Sequence, residues 1–203
     1  MLPKGETKYT LEEYLELDHE SEENLEFWDG KVWAIENSYF KYATIKGNLI
    51  FNIGKMKRSR NKAIEVFPNL RIKVPDYPPY RYPDLSALCG KVETEKLGKQ
   101  ELLVNPQLII EILSDSTADF DRGYKFTYYK SIESFVEYIL IAQDRPHVSQ
   151  FIKQDDNSWL NHEFNSIEDE FYLDSLDCSL TLREIYENVE FSENINRFGI
   201  NQN

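Results

Sequence analysis

Three stretches place ionisable side chains where chemistry could use them. Asp84 follows a proline at the head of the apolar run RYPDLSAL. Glu111 sits inside LIIEIL, and Lys125 follows in DRGYK. An ionised carboxylate in a buried strand is costly unless something pairs with it. If the Asp84 and Glu111 strands pair, the two carboxylates face each other at one end of a sheet. They then repel, and one takes up a proton. A divalent cation removes that conflict. Two carboxylates, a backbone carbonyl such as that of Ile112, and water suit Mg²⁺ or Mn²⁺. Such an ion binds phosphate oxygens, acidifies water and offsets charge in phosphoryl transfer. Lys125 could orient the attacking water or neutralise the phosphate. Its place one turn after Asp121 also fits a plain ion pair. Glu26, in LEFWDG, could extend from a hairpin to the same site or be an exposed strand residue.

Other chemistries find less support. His19, His147 and His162 form no triad or zinc spacing, and Ser114 and Ser116 lie in no G-x-S-x-G elbow. No glycine-rich phosphate loop is present. The 13 tyrosines, including those of YKFTYYK, could stack on bases or belong to the core.

The net charge of −13 argues against generic affinity for nucleic acid, but its distribution is uneven. Residues 1–40 carry 3 Lys/Arg against 11 Asp/Glu, and residues 101–203 carry 7 against 20. Residues 41–100 carry 13 against 5, a net of +8. This basic third includes KMKRSRNK, with Lys55, Lys57, Arg58, Arg60 and Lys62. Such a run serves either as a solvated helix end, where cations complement the helix dipole, or as a patch for a nucleic-acid backbone.

The elements that must position these residues follow from pattern. TLEE at Thr10–Glu13 is a capping box that predicts a helix over 11–17. LEFWDGKVWAI predicts a hairpin about Asp29-Gly30. Ala43, Ile45, Leu49, Ile50, Ile53 and Met56 predict a long helix over 39–59. AIEVF, LRIKV and YPDLSAL read as strands, the last with Pro83 near its start. Residues 89–106 read as a polar surface excursion. QLIIEIL and FVEYILIA read as strands buried on both faces, with a helix over 118–131 between them. HVSQFIK, SWLNHEF and EFYL read as a meander, and TLRE at Thr181–Glu184 starts a last short helix. The fold expected is α/β or α+β, a central mixed sheet flanked by helices with an N-terminal hairpin. A single domain over 1–192 and a disordered tail over 193–203 are expected. No apolar signal core opens the chain and no run reaches membrane-helix length, so the expected location is cytoplasmic, with Cys89 and Cys178 reduced.

In order along the chain, YTLEEYLEL, LEFWDGKVWAI, GNLIFNI, RYPDLSAL, LLVNPQLIIEILSDST, DRGYKFTYY, VEYILIAQDRPHVSQF and TLREIYENVEF resemble a large bacterial family. It is the "putative restriction endonuclease" family, once a domain of unknown function, of the PD-(D/E)XK nuclease superfamily. The resemblance covers residues 9–191. It implies a restriction-endonuclease-like core and a Mg²⁺- or Mn²⁺-dependent DNA endonuclease. Asp84 matches the aspartate of the Pro-Asp motif, and Glu111 the acid of the second half-motif. Leu113 stands where the ordinary superfamily lysine would be, and Lys125 matches a variant lysine moved to the next helix. Glu26 matches an N-terminal acidic position. Tyr42, in YATIKGNL, replaces a histidine found in many relatives. A homodimer acting on DNA is the expected assembly. A catalytically silent DNA- or protein-binding module on the same fold is the alternative.

Overall fold

The computed structural model describes residues 2–3, 8–21, 25–28, 30–34, 40–60, 63–76, 80–114 and 118–191. The tail expected to be disordered lies outside them. The Thr10–Glu13 capping box forms as read and opens α1 (Leu11–Glu20), three residues longer than expected. After β1 (Leu2–Pro3), the hairpin of β2 (Leu25–Trp28) and β3 (Lys31–Ala34) turns at Gly30, whose φ of 74° favours glycine.

A buried polar clasp holds this N-terminal unit in place. Asp18 of α1 accepts from the Leu25 amide at 3.2 Å, the Tyr80 hydroxyl at 2.7 Å, the Tyr82 hydroxyl at 3.1 Å and the Arg71 guanidinium at 2.9 Å. Tyr14, Leu25, Val32, Tyr80, Tyr82 and Leu102 pack around it. The clasp fixes the start of β2, and so the next residue, Glu26.

The helix expected over 39–59 is α2 (Phe40–Arg60). Ile45, Leu49 and Ile53 recur every fourth residue on its buried face. Burying each stabilises the fold by about 1.5–3 kcal/mol. Asn48 of the same helix donates to the Ile185 and Glu187 carbonyls, tying α2 to the C-terminal turn.

The strands that follow are β4 (Ile64–Pro68), β5 (Ile72–Lys73), β6 (Tyr80–Arg81), β7 (Leu85–Cys89), β8 (Thr94–Leu97), β9 (Gln100–Leu103) and β10 (Leu108–Leu113). Next come α3 (Ala118–Phe120), a π-helical turn over Asp121–Lys125, and α4 (Phe126–Tyr129). The last elements are β11 (Glu137–Ala142), β12 (Val148–Lys153), β13 (Trp159–Phe164), β14 (Glu170–Leu173), β15 (Cys178–Thr181) and α5 (Leu182–Ile185). The central sheet has the order β13-β12-β11-β10-β7-β4. Only β10 and β11 run parallel, and the helical segment 118–129 makes the crossover that parallel neighbours need. One face packs on α2, α5 and the β14–β15 ribbon; the other packs on α4 through Phe126, Tyr129, Phe135 and Tyr138.

The fold expectation therefore holds: a mixed sheet flanked by helices, with an N-terminal hairpin. Several details differ, beginning with the π-helical turn that interrupts the helix expected over 118–131. The surface excursion at 89–106 contains the β8–β9 hairpin, which joins β5 and β6 in a separate four-stranded sheet. Its charged cross-strand pairs, such as Lys96 opposite Glu101, masked the buried Leu102 and Leu103. EFYL leaves the meander and pairs with β15, a strand that no sequence pattern marks. LRIKV contributes only the two residues of β5. The YPDLSAL strand begins at Leu85, so Asp84 stands just before it. Cys89 is exposed, Cys178 is buried, and both are free thiols.

Candidate active site

Strand register brings a polar row across one face of the sheet. Leu85 lies opposite both Pro68 and Ile110, so one step on, Asp84 lies between Asn69 and Glu111. The Asn69 amide donates to the Asp84 carbonyl at 3.2 Å. Glu111 lies opposite Leu140, Leu140 opposite Ser149, and Ser149 opposite Glu163. Partners across a ladder share a face, because side chains alternate with period two.

Asp84 and Glu111 clasp each other through the main chain. The Asp84 amide donates to Glu111 Oε2 at 3.1 Å, and the Ile112 amide donates to Asp84 Oδ2 at 2.7 Å. Asp84 can do this because it precedes the ladder and keeps its own amide free. Continuing the register would set Pro83 opposite Ile112, and proline has no N–H to give. A residue's N–H and C=O point to the same edge of a strand. The Ile112 carbonyl therefore faces the Asp84 side without a ladder donor.

Lys125 reaches this pair from the π turn, a distortion that recurs at functional sites. Its ammonium lies 3.2 Å from Glu111 Oε1, 3.3 Å from Asp121 Oδ1 and 3.9 Å from Glu26 Oε1. The ion pair with Asp121 and the reach toward Glu111 thus coexist. Glu26 is 3% exposed, which removes the reading of an exposed strand residue; it also accepts from the Tyr82 amide at 3.2 Å. The Tyr129 hydroxyl donates to Glu111 Oε1 at 2.7 Å. From α2, the Tyr42 hydroxyl donates to Asp84 Oδ1 at 2.5 Å, and the Lys46 ammonium donates to Tyr42 at 2.8 Å and Asn69 Oδ1 at 2.5 Å.

Charge is out of balance here. Glu26, Asp84, Glu111 and Asp121 supply four negative charges when ionised, and Lys46 and Lys125 two positive, a net of −2. Burial pushes Glu111 well above the usual carboxylate range, against the pull of Lys125 and with the push of Asp121 and Asp84. Burial raises Asp84 too, opposed by Lys125 and by the Tyr42 and Ile112 hydrogen bonds. Burial alone would depress Lys125, but Glu111, Glu26, Asp121 and Asp84 outweigh it and hold the ammonium well above its ordinary value. With all four carboxylates ionised, the deficit equals one divalent cation. Among the described residues no three acidic, histidine or cysteine side chains form a ready metal cage. Two carboxylates and the Ile112 carbonyl nevertheless make an all-oxygen set of the kind Mg²⁺ accepts, since it keeps several waters.

Glu26, Asp84, Glu111, Ile112 and Lys125 therefore come together as the sequence suggested. Of the five basic residues of KMKRSRNK only Lys55 has a described side chain, and it does not join them. Lys55 is exposed 13 residues along α2 from Tyr42, about 20 Å at 1.5 Å per residue. The side chains of Lys57, Arg58 and Arg60, and all of Lys62 and Ser116, lie outside the described residues. Sequence reasoning missed Lys46, Asn69 and Tyr129. Lys46 had a signal, one helical turn from Tyr42; Asn69 had none, since only strand register places it. His147 also proved less isolated: its Nε2 lies 2.7 Å from Glu163 and 3.2 Å from Ser149. Ser149 is fully buried, which suits a structural role rather than a nucleophile.

Comparison with known proteins assigns the chain to a family and a fold. Residues 11–183 match the family Uma2, described as "Putative restriction endonuclease". The chain belongs to the Uma2 family. Two uncharacterized proteins of Synechocystis sp. are similar along most of their length. Protein sll1609 is 29% identical over 154 residues, covering 74% of this chain and 84% of that protein. Protein slr1290 is 26% identical over 184 residues, covering 91% and 94%. A crystal structure from Anabaena variabilis, described as a putative nuclease belonging to DUF820, superposes with a TM-score of 0.66. It is 19% identical and covers 87% of this chain and 97% of that one, so it establishes that this Uma2 chain shares its fold. No helix among the described residues is long and apolar enough to cross a membrane.

Proposed function

We propose that this protein is a divalent-metal-dependent DNA endonuclease of the PD-(D/E)XK type, working as a homodimer. The observation that carries this reading is the Asp84–Glu111 clasp beside the buried Lys125, in a chain of the family described as "Putative restriction endonuclease". Asp84, Glu111 and the Ile112 carbonyl would hold Mg²⁺ or Mn²⁺. When bound, the ion supplies Lewis acidity, a more acidic water and charge compensation at the phosphate. Glu111 is aimed by Tyr129 and Lys125, and its Oε2 is fixed by the Asp84 amide. Lys125 is held by three carboxylates, which keeps its charge beside the reacting centre and lets it position the attacking water. Glu26 anchors Lys125 from the hairpin and gives the water a second acceptor. The exposed Lys55 and the rest of KMKRSRNK would meet the DNA backbone away from the cut. Two copies would serve the two strands of a duplex.

One observation favours a second reading, a silent binding module: Tyr42 already occupies Asp84 Oδ1 at 2.5 Å. Cleavage of plasmid and linear DNA in Mg²⁺ or Mn²⁺ separates the two readings. Wild type should cut, and Asp84→Asn and Glu111→Gln should not. Cutting that survives in folded Asp84→Asn would remove the assignment.

A further inference from the structure

Lys46 is a cation of this site that makes no direct ion pair with its acids among the described residues. It is 9% exposed, and a cation this buried normally has an anionic partner. Its two contacts are neutral acceptors, the Tyr42 hydroxyl and the Asn69 amide oxygen. Among the described residues no carboxylate lies within ion-pair distance of it. An ammonium has three protons, so one donor remains. Burial lowers its proton affinity, while Asp84 and Glu111 raise it.

Asn69 completes the arrangement. Its φ of 49° is left-handed, a conformation that asparagine tolerates in a turn, and it sets the side chain beside Lys46. With its oxygen turned to Lys46, its NH₂ faces away and donates to none of the described residues. Three polar groups from two elements thus converge beside Asp84 with donors to spare.

Exposure shows which side of the site is open. Glu26, Glu111, Asp121 and Lys125 are all buried, whereas Tyr42, Asn69 and Asp84 are partly exposed. The partly exposed edge of the site is therefore the Tyr42, Asn69 and Asp84 side, and Lys46 lies just beneath it in contact with Tyr42 and Asn69. Lys125 is also surrounded by three carboxylates and has little net charge to offer another anion.

We propose that Lys46 and Asn69, braced by Tyr42, form the phosphate-binding subsite of this centre, taking a non-bridging oxygen of a nucleic-acid phosphodiester. The assignment rests on the nuclease reading for its ligand, but its test does not need cleavage. A fluorescent 20-base-pair duplex, titrated by anisotropy in Ca²⁺ over a range of salt, reports phosphate contacts through the slope of log K against log salt. Removing one contact lowers that slope by about 0.9. Lys46→Met should bind at least tenfold more weakly at low salt, with the slope reduced by this amount. Lys46→Arg should keep the slope. Asn69→Ala should weaken binding with the slope kept, since a neutral donor is lost. Thermal melting confirms that each variant is folded. A folded Lys46→Met with wild-type affinity and slope overturns the proposal, as does a wild type that binds no duplex. Cleavage of the same duplex in Mg²⁺ is scored separately. A reduced slope with no wild-type cleavage leaves the phosphate site standing and removes the nuclease reading. Wild-type cleavage with an unchanged Lys46→Met removes the phosphate site alone.

Discussion

Replacing Lys125 by methionine tests the electrostatics of the site most severely. The substitution keeps much of the stem's volume and removes one ammonium. That ammonium lies 3.2 Å from Glu111, 3.3 Å from Asp121 and 3.9 Å from Glu26, with every partner almost fully buried. Breaking a buried pair by deleting one partner costs about 3–5 kcal/mol, because the other charge is left uncompensated. For a chain of this size that is a fall of roughly 6–20 °C in melting temperature. The size of the loss should depend on pH. Burial already holds Asp84 and Glu111 above their ordinary values, and Lys125 opposes that rise. A carboxyl whose folded value is raised stabilises the fold fully below its unfolded value, and that contribution is lost as pH rises through the folded value. Without Lys125 the folded values climb further, so the variant should approach wild type near pH 5 and fall well below it near pH 8. Urea denaturation at several pH values in EDTA measures this. A Lys125→Met variant with wild-type stability at pH 8, or with a loss that does not change with pH, would refute the electrostatic reasoning.

Two further outcomes follow from the same contacts. Asp18→Ala should destabilise the chain by about 3 kcal/mol, since the Leu25 amide and the Tyr80 and Tyr82 hydroxyls lose their buried acceptor and the partly exposed Arg71 loses its ion partner. Because the Asp18 clasp sets the start of β2, the same variant should raise hydrogen exchange at the Leu25 and Tyr82 amides; unchanged protection there would separate Glu26 from the clasp. Tyr42→Phe removes the donor to Asp84 Oδ1 and should cost about 1.5–3 kcal/mol in EDTA, read by urea denaturation. An unchanged midpoint would show that this hydrogen bond contributes nothing.

The legible part of the site was the part written in local pattern. Asp84 and Glu111 stood out because ionisable residues interrupt apolar strands, and strand burial followed from the continuous runs around Glu111 and Tyr138. Lys125 and Glu26 were carried by family resemblance; spacing alone favoured a plain Lys125–Asp121 ion pair and an exposed Glu26. The π turn was invisible, since Asp121 and Lys125 four residues apart read the same in an α-helix. Asn69 was beyond reach because its neighbourhood depends on how β4 pairs with β7, a long-range fact without a local signature. The β8–β9 hairpin was lost for another reason. Its strands are short and carry charge on the solvent side, so Leu102 and Leu103 never formed a run.

Calorimetric titration with Mn²⁺ bears most directly on the central claim, that Asp84 and Glu111 form a divalent-cation site. Ligating carboxylates must be deprotonated, and both are held above their ordinary values by burial, so binding should release protons and strengthen from about pH 5.5 to pH 8. Saturation at 100 times the dissociation constant should stabilise the fold by about 2.7 kcal/mol. Wild type should show one such site, and Asp84→Asn none. No heat and no thermal stabilisation in wild type at millimolar Mn²⁺, or equal binding by Asp84→Asn, would contradict the account.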